Sequence, residues 1–258
     1  MRTYKEGEHG AYLEGDNTLI ETGTVHDIAG TVSLGIQIFD SAKGGSVANA
    51  IVRSVAFYNI PNNDGLVVAG PNSTVYNNTF TKTLRGYTHY GGSSARGCNT
   101  GAKFYNNTIT GTAIAITIGI FASGCDNLTA ELSNNIVIGN TDSLDLEHGW
   151  TNSGTNNAGD MQTNWDVNSS AQGGTCGASC GTSPVTLAAI TDVTVSTSNF
   201  HLKSGTNSAV DAGVTLATVT TDKDGIKRPQ GSGPDIGAYE RSGSGTTQLA
   251  APTNLRVS

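Results

Sequence analysis

Val75-Tyr76-Asn77-Asn78-Thr79-Phe80, Phe104-Tyr105-Asn106-Asn107-Thr108-Ile109 and Leu132-Ser133-Asn134-Asn135-Ile136-Val137 are three copies of one phrase. The paired asparagines begin at 77, 106 and 134, so the steps are 106 − 77 = 29 and 134 − 106 = 28 residues. Self-similarity at a near-constant period of this size marks a solenoid, in which each coil buries its apolar side only by stacking on its neighbours. Upstream of the Asn-pair strands stand short strands opened by glycine: Gly10-Ala11-Tyr12-Leu13-Glu14, Gly35-Ile36-Gln37-Ile38-Phe39 and Gly65-Leu66-Val67-Val68-Ala69. Their period of two sends Ala11/Leu13, Ile36/Ile38 and Leu66/Val68 inward and Tyr12/Glu14, Gln37/Phe39 and Val67/Ala69 outward. Weaker copies follow at Ile114-Ala115-Ile116-Thr117-Ile118 and Leu144-Asp145-Leu146-Glu147-His148.

The strand that carries the Asn pair aligns in the same way. Ile20, Val52, Val75, Phe104 and Leu132 fall inward, and Glu21, Arg53, Tyr76, Tyr105 and Ser133 form an outward column. Glu21 over Arg53 is expected as an ion pair and Tyr76 over Tyr105 as an aromatic pair. Asparagine tolerates left-handed backbone and can bond to the same amide one coil away, so the pairs read as structural ladders. Thr22-Gly23 and Ser54-Val55 hold the equivalent slots in earlier coils.

Composition agrees with an all-β chain. Of 258 residues 34 are glycine, only 14% are charged, and Asn, Thr, Ser and Gly fill the intervals between short β-branched runs. A net charge of −7 without a Lys/Arg cluster speaks against nucleic acid and anionic membrane surfaces. No apolar run reaches the roughly 20 residues that membrane insertion as a helix requires, and Met1 to His9 lacks the apolar core of a signal peptide.

Cys98 lies 106 − 98 = 8 residues before its Asn pair and Cys125 lies 134 − 125 = 9 before the next, nearly equivalent places on neighbouring coils. Strand spacing of about 5 Å suits a disulfide there. Cys176 and Cys180 flank three residues and could close a small loop. Free thiols and a four-thiolate metal site are the alternatives, although 98/125 lacks paired C-x-x-C spacing. Disulfides would imply an oxidising, secreted or cell-surface location.

With these features the chain resembles the right-handed parallel β-helix, pectate-lyase-like superfamily over roughly residues 9–150. Phe200-His201-Leu202-Lys203, Ser208-Ala209-Val210-Asp211-Ala212-Gly213, Thr221-Asp222-Lys223-Asp224-Gly225, Arg228-Pro229 and Asp235-Ile236-Gly237-Ala238-Tyr239-Glu240 resemble the C-terminal module of bacterial exported β-helix proteins. The resemblance implies that this module closes the open end of the helix, where strand edges would otherwise be exposed. Ser242 to Thr247 reads as a linker, and Ala251-Pro252-Thr253-Asn254-Leu255-Arg256-Val257-Ser258 is similar to the start of a fibronectin-type-III domain. The expected layout is coils over 1–160, terminal coils and closing module over 161–241, and linker with the fibronectin-like start over 242–258, with earlier coils missing from the N-terminal side.

The resemblance implies work on an outer face, by carboxylates that bind calcium or by Arg, Lys, His or carboxylate pairs that act on a polysaccharide. Three places are candidates. Glu14 and Asp16 end one outward strand, near His9, His26 and Asp27, and could serve as metal ligands for calcium, which needs several converging oxygens. The stretch Leu84 to Gly97 reads as an insertion between coils. In it Arg85, Tyr87, Tyr90 and Arg96 could bind substrate, and His89 could act as a general base. Asp145 and Glu147, beside His148, alternate outward about 6.5–7 Å apart along a strand and could form a glycosidase-like carboxylate pair. Asp222-Lys223-Asp224-Gly225 begins like a calcium loop but lacks its later ligands, so it reads as a turn. Two functions fit: a polysaccharide lyase or glycoside hydrolase, or a non-catalytic surface, adhesive or structural module of a larger exported protein.

Overall fold

The computed structural model describes residues 9–41, 43, 46–93, 97–120, 125, 129–146, 151–153, 158–159, 165–166, 199–204 and 209–241. Its strands begin with β1 (Ala11–Leu13), β2 (Leu19–His26), β3 (Ile36–Ile38), β4 (Ile51–Ile60), β5 (Leu66–Ala69), β6 (Thr74–Tyr76) and β7 (Thr79–Thr83). They continue with β8 (Arg85–Tyr90), β9 (Gly92–Ser93), β10 (Gly97–Cys98), β11 (Ala102–Tyr105), β12 (Thr108–Thr110) and β13 (Ile114–Ile120). The last are β14 (Thr129–Ser133), β15 (Ile136–Ile138), β16 (Asp142–Leu146), β17 (Thr151–Ser153), β18 (Ala158–Gly159) and β19 (Trp165–Asp166). Apart from the small antiparallel β9–β10 pair, strand pairs with strand in parallel, coil upon coil, which is a parallel β-helix.

One sheet runs β1-β3-β5-β8-β13-β16-β19. The other two faces join through β4, whose first half pairs with β6 and second half with β7. The corner inside β4 is Ser54 at φ 57°, and Thr22 in β2 matches it at φ 54°. In later coils the corner breaks the strand outright, and Asn77, Asn106 and Asn134 sit there at φ 56°, 48° and 56°. Asparagine is among the few residues that accept this region at small cost, which is why the first Asn of each pair repeats.

The second Asn of each pair is the ladder. Asn78 Nδ2 donates to Asn107 Oδ1 at 3.1 Å, and Asn107 Nδ2 donates to Asn135 Oδ1 at 3.1 Å. The same amides reach back to the carbonyls of Val52, Val75 and Phe104 at 3.0, 3.0 and 2.8 Å. The backbone N–H groups of Asn78 and Asn107 use the same Oδ1 acceptors. All three second asparagines are buried, so each bond avoids the roughly 1–3 kcal/mol cost of an orphaned polar group.

The core columns follow the expected register. Ile20, Val52, Val75, Phe104 and Leu132 are stacked partners, and Val25, Phe57, Phe80, Ile109 and Val137 form the column on the next face. The expected Glu21–Arg53 ion pair is present and in register, and Arg53 Nη1 also donates to the Tyr76 hydroxyl at 2.7 Å. Cys98 and Cys125 form the expected disulfide, with Cα atoms 5.6 Å apart. Cys176 and Cys180 lie outside the described residues.

Candidate functional site

The stretch read as an insertion is a strand of the coil. Arg85–Tyr90 is β8, paired in parallel with β5 on one side and β13 on the other. Gly86 continues the glycine file of Gly10, Gly35 and Gly65, in which each glycine lets its backbone approach the next coil: a Cβ on Gly86 would lie 2.7 Å from the Ala115 carbonyl. Inward positions follow from the register. Tyr87 lies between Leu66 and Ile116, and His89 lies between Val68 and Ile118.

The roles expected for Tyr87 and His89 therefore need correcting, because both side chains are fully buried in the core. His89 Nε2 faces the Asn99 carbonyl at 3.0 Å, and Nδ1 lies 3.1 Å from the Tyr87 hydroxyl. Since the carbonyl only accepts, Nε2 carries the hydrogen and Nδ1 accepts from Tyr87, so the neutral ring is satisfied at both nitrogens. Burial pulls the imidazole down to about 4, against a smaller upward pull from the Asn99 carbonyl. A core histidine so held has neither the access nor the basicity of a surface general base. Arg85 is also engaged: its Nη1 pairs with Asp64 Oδ1 at 3.2 Å, and Thr88 Oγ1 donates to Asp64 Oδ2 at 2.7 Å. Arg96 lies outside the described residues.

Tyr90 points outward and belongs to a larger feature. On the outer face of the β1-β3-β5-β8 sheet, His9 stacks on Tyr12 at 5.7 Å between ring centroids, Tyr12 meets Phe39 edge-on at 6.5 Å, and Phe39 meets Tyr90 edge-on at 5.9 Å. Phe39 and Tyr90 come from β3's C-terminal end and β8, with β5 between them. They touch because the intervening partner of Tyr90 is Ala69, too small to separate the rings. The result is a continuous aromatic strip that crosses the strands along the stacking direction. Tyr12 is 42% exposed, and Phe39 and Tyr90 are half-buried. Tyr12 and Phe39 were legible as outward positions; only the contact over Ala69 makes them neighbours of Tyr90.

Carboxylates line this strip. Glu14 Oε1 accepts from the Ser41 hydroxyl at 3.2 Å. Asp16 Oδ1 accepts from Ala48 N at 2.9 Å, while its Oδ2 pairs with Lys43 Nζ at 3.0 Å. Lys43 Nζ also lies 3.6 Å from Asp40 Oδ2. Burial raises the Tyr12 hydroxyl, and Glu14 and Asp40 add to that; burial pushes Tyr90 up to about 12, with Asp64 adding to it. Glu14 and Asp16 do not fit a calcium ion: an ammonium already sits between Asp16 and Asp40, and Glu14 is turned to Ser41. Among the described residues no three His, Cys, Asp or Glu converge as metal ligands.

Asp145 stands half-exposed on β16, in register with buried Thr117 on one side and Asp166 of β19 on the other. Glu147 and His148, the other members of the expected carboxylate pair, lie outside the described residues.

The segment 209–241 lies along the flank of the coils, where the resemblance implied a cover for the end. Asn77 Nδ2 donates to Thr221 O at 2.7 Å, Asn106 Nδ2 to Asp235 O at 3.1 Å, and Asn134 Nδ2 to Val214 O at 2.8 Å. Val219 and Leu216 pack on Tyr76 and Tyr105, burying the column expected to face solvent. Inside this segment Arg228 and Glu240 pair at 2.7 Å with both side chains almost fully buried. Glu240 also accepts from Gln230 N and Asp235 N at 2.9 Å each. Burial pushes Asp235 up to about 6, against the pull of the Arg241 and Asp211 N–H groups. Asp222 Oδ1 accepts from Asp224 N and Ile226 N, which makes the Asp222–Gly225 string the expected turn. These acids are consumed by structure.

No family model matches the chain, and no curated protein does. Among solved structures it is similar to the crystal structure of a pectate lyase, Pel9A, at 16% identity over 92% of this chain and 68% of that chain, with a TM-score of 0.39. So slight a likeness adds nothing to the fold, which the strand registers carry by themselves.

Proposed function

We propose that this protein is a carbohydrate-binding β-helix and that its binding surface is the outer face carrying Tyr12, Phe39 and Tyr90. The observation behind this reading is the unbroken ring-to-ring run from His9 through Tyr12 and Phe39 to Tyr90. Sugar rings present apolar C–H faces, and the electron-rich faces of aromatic rings attract such hydrogens. A strip laid along the stacking axis offers consecutive rings to consecutive sugars, with Glu14, Ser41 and Gln37 at hand for hydroxyl groups. The reading is of binding and not of turnover, since two described candidates for chemistry are engaged elsewhere, His89 in the core and Arg85 with Asp64. The Cys98–Cys125 disulfide supports an exported location, and no helix of the described residues is long and apolar enough to cross a membrane.

Native electrophoresis through gels that contain soluble polysaccharide tests the site. Tyr12→Ala and Phe39→Ala should each weaken the apparent affinity in a retaining gel at least about tenfold, while the melting temperature of Tyr12→Ala stays within about 2 °C of the parent, as expected of a surface change. Unchanged retardation in both variants would exclude this face.

A further inference from the structure

We infer that the glycan this face takes is uncharged, not a polyuronate. The inference rests on the proposed binding role of the strip and adds the chemical class of its ligand. Four carboxylates border the strip: Glu14, Asp16 and Asp40 at the Tyr12 end and Asp64 at the Tyr90 end. The two described cations nearby are both committed. Lys43 lies between Asp16 and Asp40, and Arg85 is paired with Asp64, which also accepts from Thr88. Arg53 is held by Glu21 and Tyr76 on another face of the coil. At the Tyr12 end three carboxylates face one ammonium, so a uronate laid on the rings would meet net like charge there. At the Tyr90 end the buried Asp64–Arg85 pair is neutral and offers it no free cation, so its desolvation would go uncompensated.

A neutral glycan meets no such penalty. Glu14 keeps acceptor capacity beyond its bond from Ser41, and carboxylates and amides are well suited to accept from and donate to sugar hydroxyl groups. Selection by charge is then a matter of what the face repels, and aromatic stacking supplies the attraction.

The test uses the whole chain in native gels containing hydroxyethylcellulose or galactomannan, and in matched gels containing polygalacturonate or alginate, each at 0.05 and about 1 M salt. The Debye length falls to about 3 Å at 1 M, so the repulsion due to overall negative charge is removed there and only the face's own chemistry remains. The expected result is retardation by a neutral polymer that changes less than twofold with salt and is lost in Tyr12→Ala, with no retardation by either uronate at either salt. Retardation by a uronate that is lost in Tyr12→Ala would overturn the neutral class and leave the binding face standing. Retardation by no polymer, or retardation that survives Tyr12→Ala and Phe39→Ala, would overturn both readings.

Discussion

At the scale of single residues, the chain uses types usually met at surfaces as parts of its interior. His89 is the clearest. Its folded value of about 4 lies below the 6.5 of a free imidazole. Protonation therefore favours the unfolded chain: the His89 contribution is complete above pH 6.5 and is lost as pH falls through the window from 6.5 to 4. The distance between 6.5 and about 4 corresponds to roughly 3 kcal/mol. Asp235 acts in the opposite sense, because its carboxyl is raised to about 6 from 3.8, so its segment gains stability as pH falls from 6 toward 3.8. In His89→Gln, urea unfolding measured at pH 7 and 4.5 should therefore show a smaller loss on acidification than the parent, or a gain. An identical loss in both proteins would place the titration elsewhere. Reading the sequence assigned His89, Tyr87 and Arg85 to a surface because tyrosine, histidine and arginine in a glycine-rich stretch look like a binding loop. What makes them interior is their partners: Asn99 and the Tyr87–His89 contact itself, and Asp64 for Arg85, which precedes it by 85 − 64 = 21 residues and meets it only once the coils stack.

At the scale of elements, the asparagine period carried the architecture, since the stacked partners Val75–Phe104–Leu132 and the Cys98–Cys125 neighbours both follow from it. β8 escaped because its inward positions hold Tyr and His where the other coils hold Leu, Ile and Val, so alternation was present but its apolar signature was not. The glycine in front was the surviving signal. Gly10, Gly35, Gly65 and Gly86 mark where one coil's backbone passes closest to the next, and a Cβ at Gly35 would fall inside van der Waals contact with the Gly65 carbonyl. Gly23 is the internal control, with nothing within 4 Å of the same atom. Thermal melts should show Gly35→Ala destabilised by at least about 2–3 kcal/mol and Gly23→Ala within about 0.5 kcal/mol of the parent. Equal effects at the two sites would mean that the close approach does not constrain the stack. The aromatic strip lies between these cases: alternation places Tyr12 and Phe39 outside, but their union with Tyr90 depends on a small residue in the strand between.

At the scale of the whole molecule, the segment 209–241 is tied to three successive coils through the first asparagines, a relation no local pattern announces because Asn77 and Thr221 are 144 residues apart. Its own integrity depends on the buried Arg228–Glu240 pair. Glu240→Gln would leave the guanidinium buried without its counter-charge, a loss on the order of 3–5 kcal/mol. Amide exchange should then speed up at Gly237 and Val214, which bond to Asn134, while Ile136, bonded to Asn107 within the coils, keeps its protection. Equal acceleration at all three would mean that segment and coils open as one unit.

The flank segment has a mechanical consequence as well. A bare stack pulled along its axis can peel one coil at a time, each event breaking only one layer of strand pairing. The bonds from Asn77, Asn106 and Asn134 to a single continuous segment act as a splint, so these coils must yield in shear, together, before any of them can unwind. Among the described coils the stretch from Asn77 to Asn134 is thereby stiffened, and the bonds of this splint begin only after the coils of β1 to β4, which would open under a smaller tensile load.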